Sequence, residues 1–217
     1  NCEDETLHAF ENVGFQGEIV HVNDMIHNPT NLNQYQVIAF PGGFSYGDDT
    51  GSGNAMANKI KNNFSDYLFE FLLKDKLIIG ICNGCQILVN LGIVPSSQNT
   101  NREVALVEND SAIYQCRWIN LKVSNNRSFW LKNIKDLYLP VAHQEGKFIM
   151  SNTIQQKILK NKLIACQYVD ERKKLAKQKF PYNPNGSLLD IAALTNEKGN
   201  VLAMMPHPER ALYFSQQ

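Results

Sequence analysis

Leu77-Ile78-Ile79-Gly80-Ile81-Cys82-Asn83-Gly84-Cys85-Gln86-Ile87-Leu88-Val89-Asn90-Leu91 joins two apolar runs through a turn set between glycines. The first run fits a buried strand, Leu77–Ile81, and the second a helix, Asn83–Leu91. The turn between them has the form of a nucleophile elbow, which lifts its central side chain to the carboxyl end of the strand in a cramped backbone conformation. Gly80 and Gly84, two residues either side of Cys82, relieve that crowding. Cys82 also sits at a helix N-terminus, where the dipole favours thiolate over thiol.

Working outward, strand and helix signals alternate. A helix over Glu3–Val13, with Leu7, Phe10 and Val13 as its apolar stripe, leads to a strand over Gly17–Val22. A strand over Gln36–Phe40 and a helix over Ala55–Leu73 follow. That helix repeats Met56, Ile60, Phe64, Leu68 and Leu72 at every fourth position, a stripe suited to packing on a sheet. The middle, from Ala105 to Met150, has strand-like runs (Tyr114–Val123, Tyr138–Val141) and little helix, and a last α/β portion spans Thr153 to Met205. The pattern predicts one α/β domain over residues 1–217: a mostly parallel, doubly wound sheet flanked by helices, with a small β-rich insertion in the middle. Its active site belongs beyond the carboxyl ends of the strands.

Cys82 and Cys85 form a C-x-x-C pair at the start of a helix, so a thioredoxin-like redox motif competes with the nucleophile elbow. Structural zinc fits poorly, because no second C-x-x-C or H-x-x-x-H accompanies the pair. A second constellation decides between them. Val201-Leu-Ala-Met-Met205 reads as a buried strand ending at Pro206, followed by His207-Pro208-Glu209. In an extended segment His207 and Glu209 lie on one side of the chain, so the carboxylate can hold the imidazole in one tautomer and leave its other nitrogen to a nucleophile. Cys82, His207 and Glu209 then make a catalytic triad. Pro41-Gly42-Gly43 directly follows a strand, and its backbone can turn an amide toward a neighbouring strand end. Gly43 and Asn83, the residue after the nucleophile, are the candidate oxyanion donors.

These segments resemble the class I glutamine amidotransferases, whose fold is flavodoxin-like. The shared stretches are Asn1-Cys-Glu-Asp-Glu-Thr6, Pro41 to Asp48, Gly80 to Gln86, Cys116-Arg-Trp118, Ala142-His-Gln-Glu-Gly146, Tyr182 to Ser187 and Met205 to Arg210. Several of them are particular to the glutaminase component of phosphoribosylformylglycinamidine synthase. The resemblance implies hydrolysis of glutamine through a Cys82 thioester, and transfer of ammonia to the large synthetase subunit of a complex that also has a small accessory subunit. ATP and Mg²⁺ are used by that partner, and no cofactor or metal is implied for this chain. Gln86, His143, Gln144 and Glu145 are implied to lie at the glutamine pocket, Trp118 reads as core, and Tyr182 to Ser187 as a loop for partner docking or closure. The family carries an aromatic residue in place of Cys85, begins one strand before Asn1, and continues into a final helix after Gln217. A first strand and a closing helix are therefore expected outside residues 1–217.

Lys+Arg and Asp+Glu number 21 each, so there is no general basic field for nucleic acid or membrane. Arg172-Lys-Lys174 with Lys177 and Lys179 is a local, solvated basic run. Five cysteines without disulfide-like spacing fit a reducing, cytoplasmic setting. No apolar run approaches membrane-spanning length. His8, His21 and His27 join no constellation and read as surface or structural.

Overall fold

The computed structural model describes residues 1–46, 51–74, 76–96, 101–124 and 127–216. Gly47 and Asp48 of the P-G-G-F-S-Y-G-D run lie outside them. Helix α1 (Glu3–Asn12) and the short α2 (Val22–His27) precede strand β1 (Val37–Phe40), and α3 (Asn54–Leu73) leads to β2 (Leu77–Ile81) and α4 (Asn83–Leu91). The middle contributes β3 (Ala105–Glu108), β4 (Gln115–Val123), β5 (Asp136–His143) and β6 (Glu145–Ile149). Helix α5 (Asn152–Asn161) and strands β7 (Ile164–Val169), β8 (Ile191–Thr195) and β9 (Val201–Met204) complete the order.

Seven strands form one sheet in the order β1-β2-β9-β8-β7-β4-β5. The pairs β1–β2 and β2–β9 are parallel, and the remaining neighbours are antiparallel. β1, β2, β9, β7 and β5 thus run one way, with β8 and β4 opposed. The β-rich middle is less of an insertion than its composition suggests: β4 and β5 extend the main sheet, and only β3 and β6 pair separately. The sheet curls: the His207 N–H just beyond β9 donates to the Pro140 carbonyl of β5, at one end of the order (2.9 Å). Ile78, Ile81, Val201, Ala203, Ala193 and Leu194 are buried within the sheet, with α4 packed on β2 and β9 and α3 on α4. Burial at about 25 cal/mol per Å² of apolar surface is the main force holding these layers together.

Three expectations change. The strand over Gly17–Val22 does not form; residues 15–21 have no regular structure, and Val22 begins α2. A strand needs a hydrogen-bonding neighbour. Among the described residues no strand lies beside residues 17–22, and β1 ends the sheet. Val13 is exposed at the end of α1, so only Leu7 and Phe10 keep the expected stripe. Trp118 is half-buried and stacks on Tyr138 with ring centroids 5.1 Å apart, outside the core proper. The surface histidines behave as expected: His21 caps α2, and His27 bonds the Asn23 carbonyl.

Candidate active site

The elbow forms as the glycines predict. Cys82 takes φ 50° and ψ −103°, a conformation that costs a side-chain-bearing residue on the order of 1–3 kcal/mol. It is held there by its N–H to the Met204 carbonyl (2.8 Å) and by Gly84 N–H to the Pro41 carbonyl (3.1 Å). A Cβ on Gly84 would strike the Phe40 carbonyl, and one on Gly80 would meet the Gly84 carbonyl and Leu88. Both glycines are therefore required by close packing.

The thiol differs from the expectation. Burial pushes Cys82 up to about 12, and the Asn83 N–H that favours the thiolate opposes this only in part. Desolvation outweighs the helix terminus, so the resting sulfur is a neutral thiol. It donates to the Ala142 carbonyl at 3.7 Å. Cys85 is wholly buried in α4, and burial raises its thiol well above the ordinary cysteine value. All five cysteines are free thiols.

His207 and Glu209 meet at 2.5 Å between Nδ1 and Oε1, both buried. The segment is not extended: Pro208–Arg210 form a single 3-10 turn, with His207 as its N-cap, and this turn swings the carboxylate back onto the ring. The bond to Glu209 assigns the proton to Nδ1 and leaves Nε2, which has no hydrogen-bond partner among the described residues, able to accept a proton.

The Pro41-Gly42-Gly43 loop lies against this pair. A Cβ on Gly42 would fall 2.8 Å from His207 Cε1 and 3.2 Å from Cys2 Sγ. Gly43 has φ +115° and packs against the Asn1 side chain. Three contacts absent from the sequence reading fix the loop. Cys2 N–H donates to the Gly42 carbonyl (3.2 Å), Phe44 N–H to Asn1 Oδ1 (3.0 Å), and the Ser45 hydroxyl to Asn83 Oδ1 (2.5 Å). Arg210 completes the clamp, with Nη2 donating to Cys2 Sγ (3.0 Å) and Nε to Glu5 (3.3 Å). Their separation in sequence hid them: Cys2 and Arg210 are 208 residues apart.

Gln86, on α4, donates to the Glu145 main-chain carbonyl at 2.7 Å, and the half-buried Glu145 carboxylate accepts from Ser52 N–H at 3.2 Å. His143 is buried, bonded to Asn109 through Nδ1 (3.2 Å), with Gly146 packed on its ring. Burial, with His207 nearby, lowers it to about 3, so it is neutral. Gln144 is exposed and donates to Glu108 on the β3 side (2.9 Å). Cys82, Asn83, Gly43, His207 and Glu209 are thus gathered at one end of β1, β2 and β9. Gln86, His143 and Glu145 border them, and Gln144 faces outward.

Tyr182 to Ser187 is a loop, but its centre is interior. Asn183, Asn185 and Ser187 are buried. Asn183 Oδ1 accepts from Gly186 and Ser187 N–H, and Asn185 Nδ2 donates to the Gly146 carbonyl (2.8 Å).

The whole chain, residues 1–217, matches the CobB/CobQ-like glutamine amidotransferase domain. Phosphoribosylformylglycinamidine synthase subunit PurQ of Methanococcus maripaludis is 46% identical over 215 residues, covering 98% of this chain and 80% of that protein. The subunit of the same name from Dehalococcoides mccartyi is 41% identical, covering all of this chain and 83% of the relative. Among solved structures, a chain of PurLQS from Thermotoga maritima superposes with a TM-score of 0.74 at 31% identity, covering 100% of this chain and 86% of that one.

Proposed function

The chain belongs to the CobB/CobQ-like glutamine amidotransferase family, and from that membership and the site geometry we propose that it is the glutaminase of a phosphoribosylformylglycinamidine synthase. It hydrolyses glutamine to glutamate and ammonia, and the ammonia serves a synthetase subunit that converts formylglycinamide ribonucleotide to its amidine in purine biosynthesis. The observation that carries this reading is the His207–Glu209 pair at 2.5 Å beyond β9, beside the strained Cys82 elbow on the neighbouring β2.

In this reading His207 Nε2 takes the Cys82 proton as the sulfur attacks the side-chain amide carbon of glutamine. The same nitrogen delivers that proton to departing ammonia, and then activates water to hydrolyse the γ-glutamyl thioester. Glu209 balances the charge on the imidazolium formed in each half. The Gly43 and Asn83 amides receive the oxyanion, and loss of one such donor typically costs about 3 kcal/mol of barrier. Gln86, His143, Gln144 and Glu145 border the glutamine pocket. The chain's own step draws on its side chains and backbone alone; ATP and Mg²⁺ belong to the partner synthetase, with which a small accessory subunit also assembles. Among the described residues no helix is long and apolar enough to cross a membrane, and the place of action is the cytoplasm, where purine precursors are made.

The test is covalent labelling by an electrophilic glutamine analogue with peptide mapping. It needs one chemical event rather than turnover, so it does not depend on the partner. A single adduct on Cys82, suppressed by excess glutamine, is expected. A folded sample that gives no adduct, or labels Cys85 equally without glutamine protection, overturns the assignment.

A further inference from the structure

Cys2 carries a buried thiol that the glutaminase reaction does not use. One ligand atom from each of Cys2, His207 and Glu209 lies within 4.8 Å of the other two. Gly42 packs against both: a Cβ there would be 3.2 Å from Cys2 Sγ and 3.3 Å from His207 Nδ1, the nitrogen that Glu209 holds. Glu209 is 4% exposed, and while Oε1 accepts from His207, Oε2 is buried with no hydrogen-bond partner. An unsatisfied carboxylate oxygen in a dry site is costly, and it offers an open ligand position.

We propose that Cys2 Sγ, His207 Nδ1 and a Glu209 carboxylate oxygen form an inhibitory site for a soft divalent cation, with Zn²⁺ as the best match. The inhibitory part rests on His207 being the glutaminase base. A thiolate, an imidazole and a carboxylate are zinc's preferred donor set, and three protein ligands leave the fourth position to water. Binding releases the Cys2 thiol proton and shifts the His207 ring proton from Nδ1 to Nε2, so that the imidazole coordinates as a neutral ligand. Thiolate and carboxylate together neutralise the ion, and Arg210 stays paired with the sulfur. With Nε2 now carrying the ring's proton, His207 cannot take the Cys82 proton, so the thiol stays neutral and the reaction stops.

Cobalt(II) titrated into the full chain makes the site visible through a thiolate-to-metal charge-transfer band that Zn²⁺ abolishes. The band is expected in the wild type and in Cys82→Ala, and its loss is expected in Cys2→Ser. Glu209→Gln, which keeps the thiol, should retain the band with affinity weakened at least tenfold, the minimum that loss of even an outer-shell partner costs. Zn²⁺ should also slow analogue labelling of Cys82 at least tenfold in the wild type and leave it unchanged in Cys2→Ser. A band that survives in Cys2→Ser and disappears in Cys82→Ala overturns the site, as does the absence of any band in a folded wild type. The band does not depend on glutamine chemistry. A chain that binds cobalt through Cys2 yet never labels at Cys82 would keep the metal site and overturn the glutaminase reading instead.

Discussion

The Cys82 thiol donates to the Ala142 carbonyl at 3.7 Å, and the nearby His207 keeps Nε2 buried and without a partner. The nucleophile is therefore at rest, a neutral thiol turned toward β5. With burial holding it up at about 12, the thiolate fraction rises tenfold with each pH unit below that value. Alkylation of Cys82 by iodoacetamide in the native chain is accordingly expected to accelerate about tenfold per unit from pH 7 to 10. Peptide mapping at timed quenches measures this. A plateau below pH 8 would mean that a standing thiolate exists and that the helix terminus outweighs desolvation.

Glu209→Gln keeps the shape of the turn and removes the charge that balances the imidazolium. Because Nδ1 can then bond the amide oxygen, the ring stays in place and glutamine binding is preserved. The expected loss is in kcat, on the order of 10⁴-fold, the loss seen when a triad carboxylate is neutralised, with KM little changed. Steady-state glutaminase assays of the complex with its synthetase subunit test the split. A variant that loses KM and keeps kcat would place Glu209 in binding instead.

His143 gives the fold an acid limit. Its pKa is lowered by burial from 6.5 to about 3, so the folded state holds it neutral while the unfolded chain takes up a proton below pH 6.5. The unfolded state then binds more protons, and stability falls as pH drops from 6.5 toward 3, with no contribution above 6.5. The interval corresponds to at most about 5 kcal/mol. Urea midpoints across this range are expected to fall steeply in the wild type and less so in His143→Gln, which retains a donor for Asn109. Equal slopes would remove His143 from the account.

The elbow, the helices α3 and α4, and the His207–Glu209 pair were legible because each is local: a period, a glycine spacing or two residues separated by one. What the sequence hid depends on distant partners. Gly17–Val22 has strand chemistry but no strand beside it, and so remains irregular. The helix terminus at Cys82 is real, yet the burial that outweighs it comes from β5 and β9, far along the chain. Tyr182 to Ser187 has the composition of a surface loop, and only its hydrogen bonds to Gly146 and Tyr168 reveal an interior knot.

That knot yields a structural prediction. Asn183 Nδ2 donates to the Ser187 carbonyl (3.0 Å) and Asp190 Oδ1 (2.9 Å), while Oδ1 accepts two loop amides. Asn183→Ala leaves these groups buried and unpaired, which should destabilise the chain by about 2–4 kcal/mol in urea unfolding. Labelling of Cys82 in the fraction that remains folded is expected to be unchanged. Wild-type stability with lost partner binding would instead assign the loop to docking.

Two neighbouring glycine substitutions separate folding from chemistry. Gly84→Ala sets a Cβ against the Phe40 main-chain carbonyl, which cannot yield without moving β1 off the elbow. It should cost about 3 kcal/mol or more of stability, the upper range for overpacking. Gly42→Ala meets side chains instead, His207 Cε1 at 2.8 Å and Cys2 Sγ at 3.2 Å, and these can give. Its stability loss should stay near 1 kcal/mol, but only by displacing the imidazole that Glu209 holds. A misplacement of a reacting group by about 1 Å is enough to cost on the order of 10²-fold in rate. Paired urea and glutaminase measurements on the two variants are therefore expected to diverge: Gly84→Ala loses stability first, and Gly42→Ala loses kcat with its fold intact. Equal stability losses in both would mean that the Gly42 loop is part of the core rather than a platform pressed against His207.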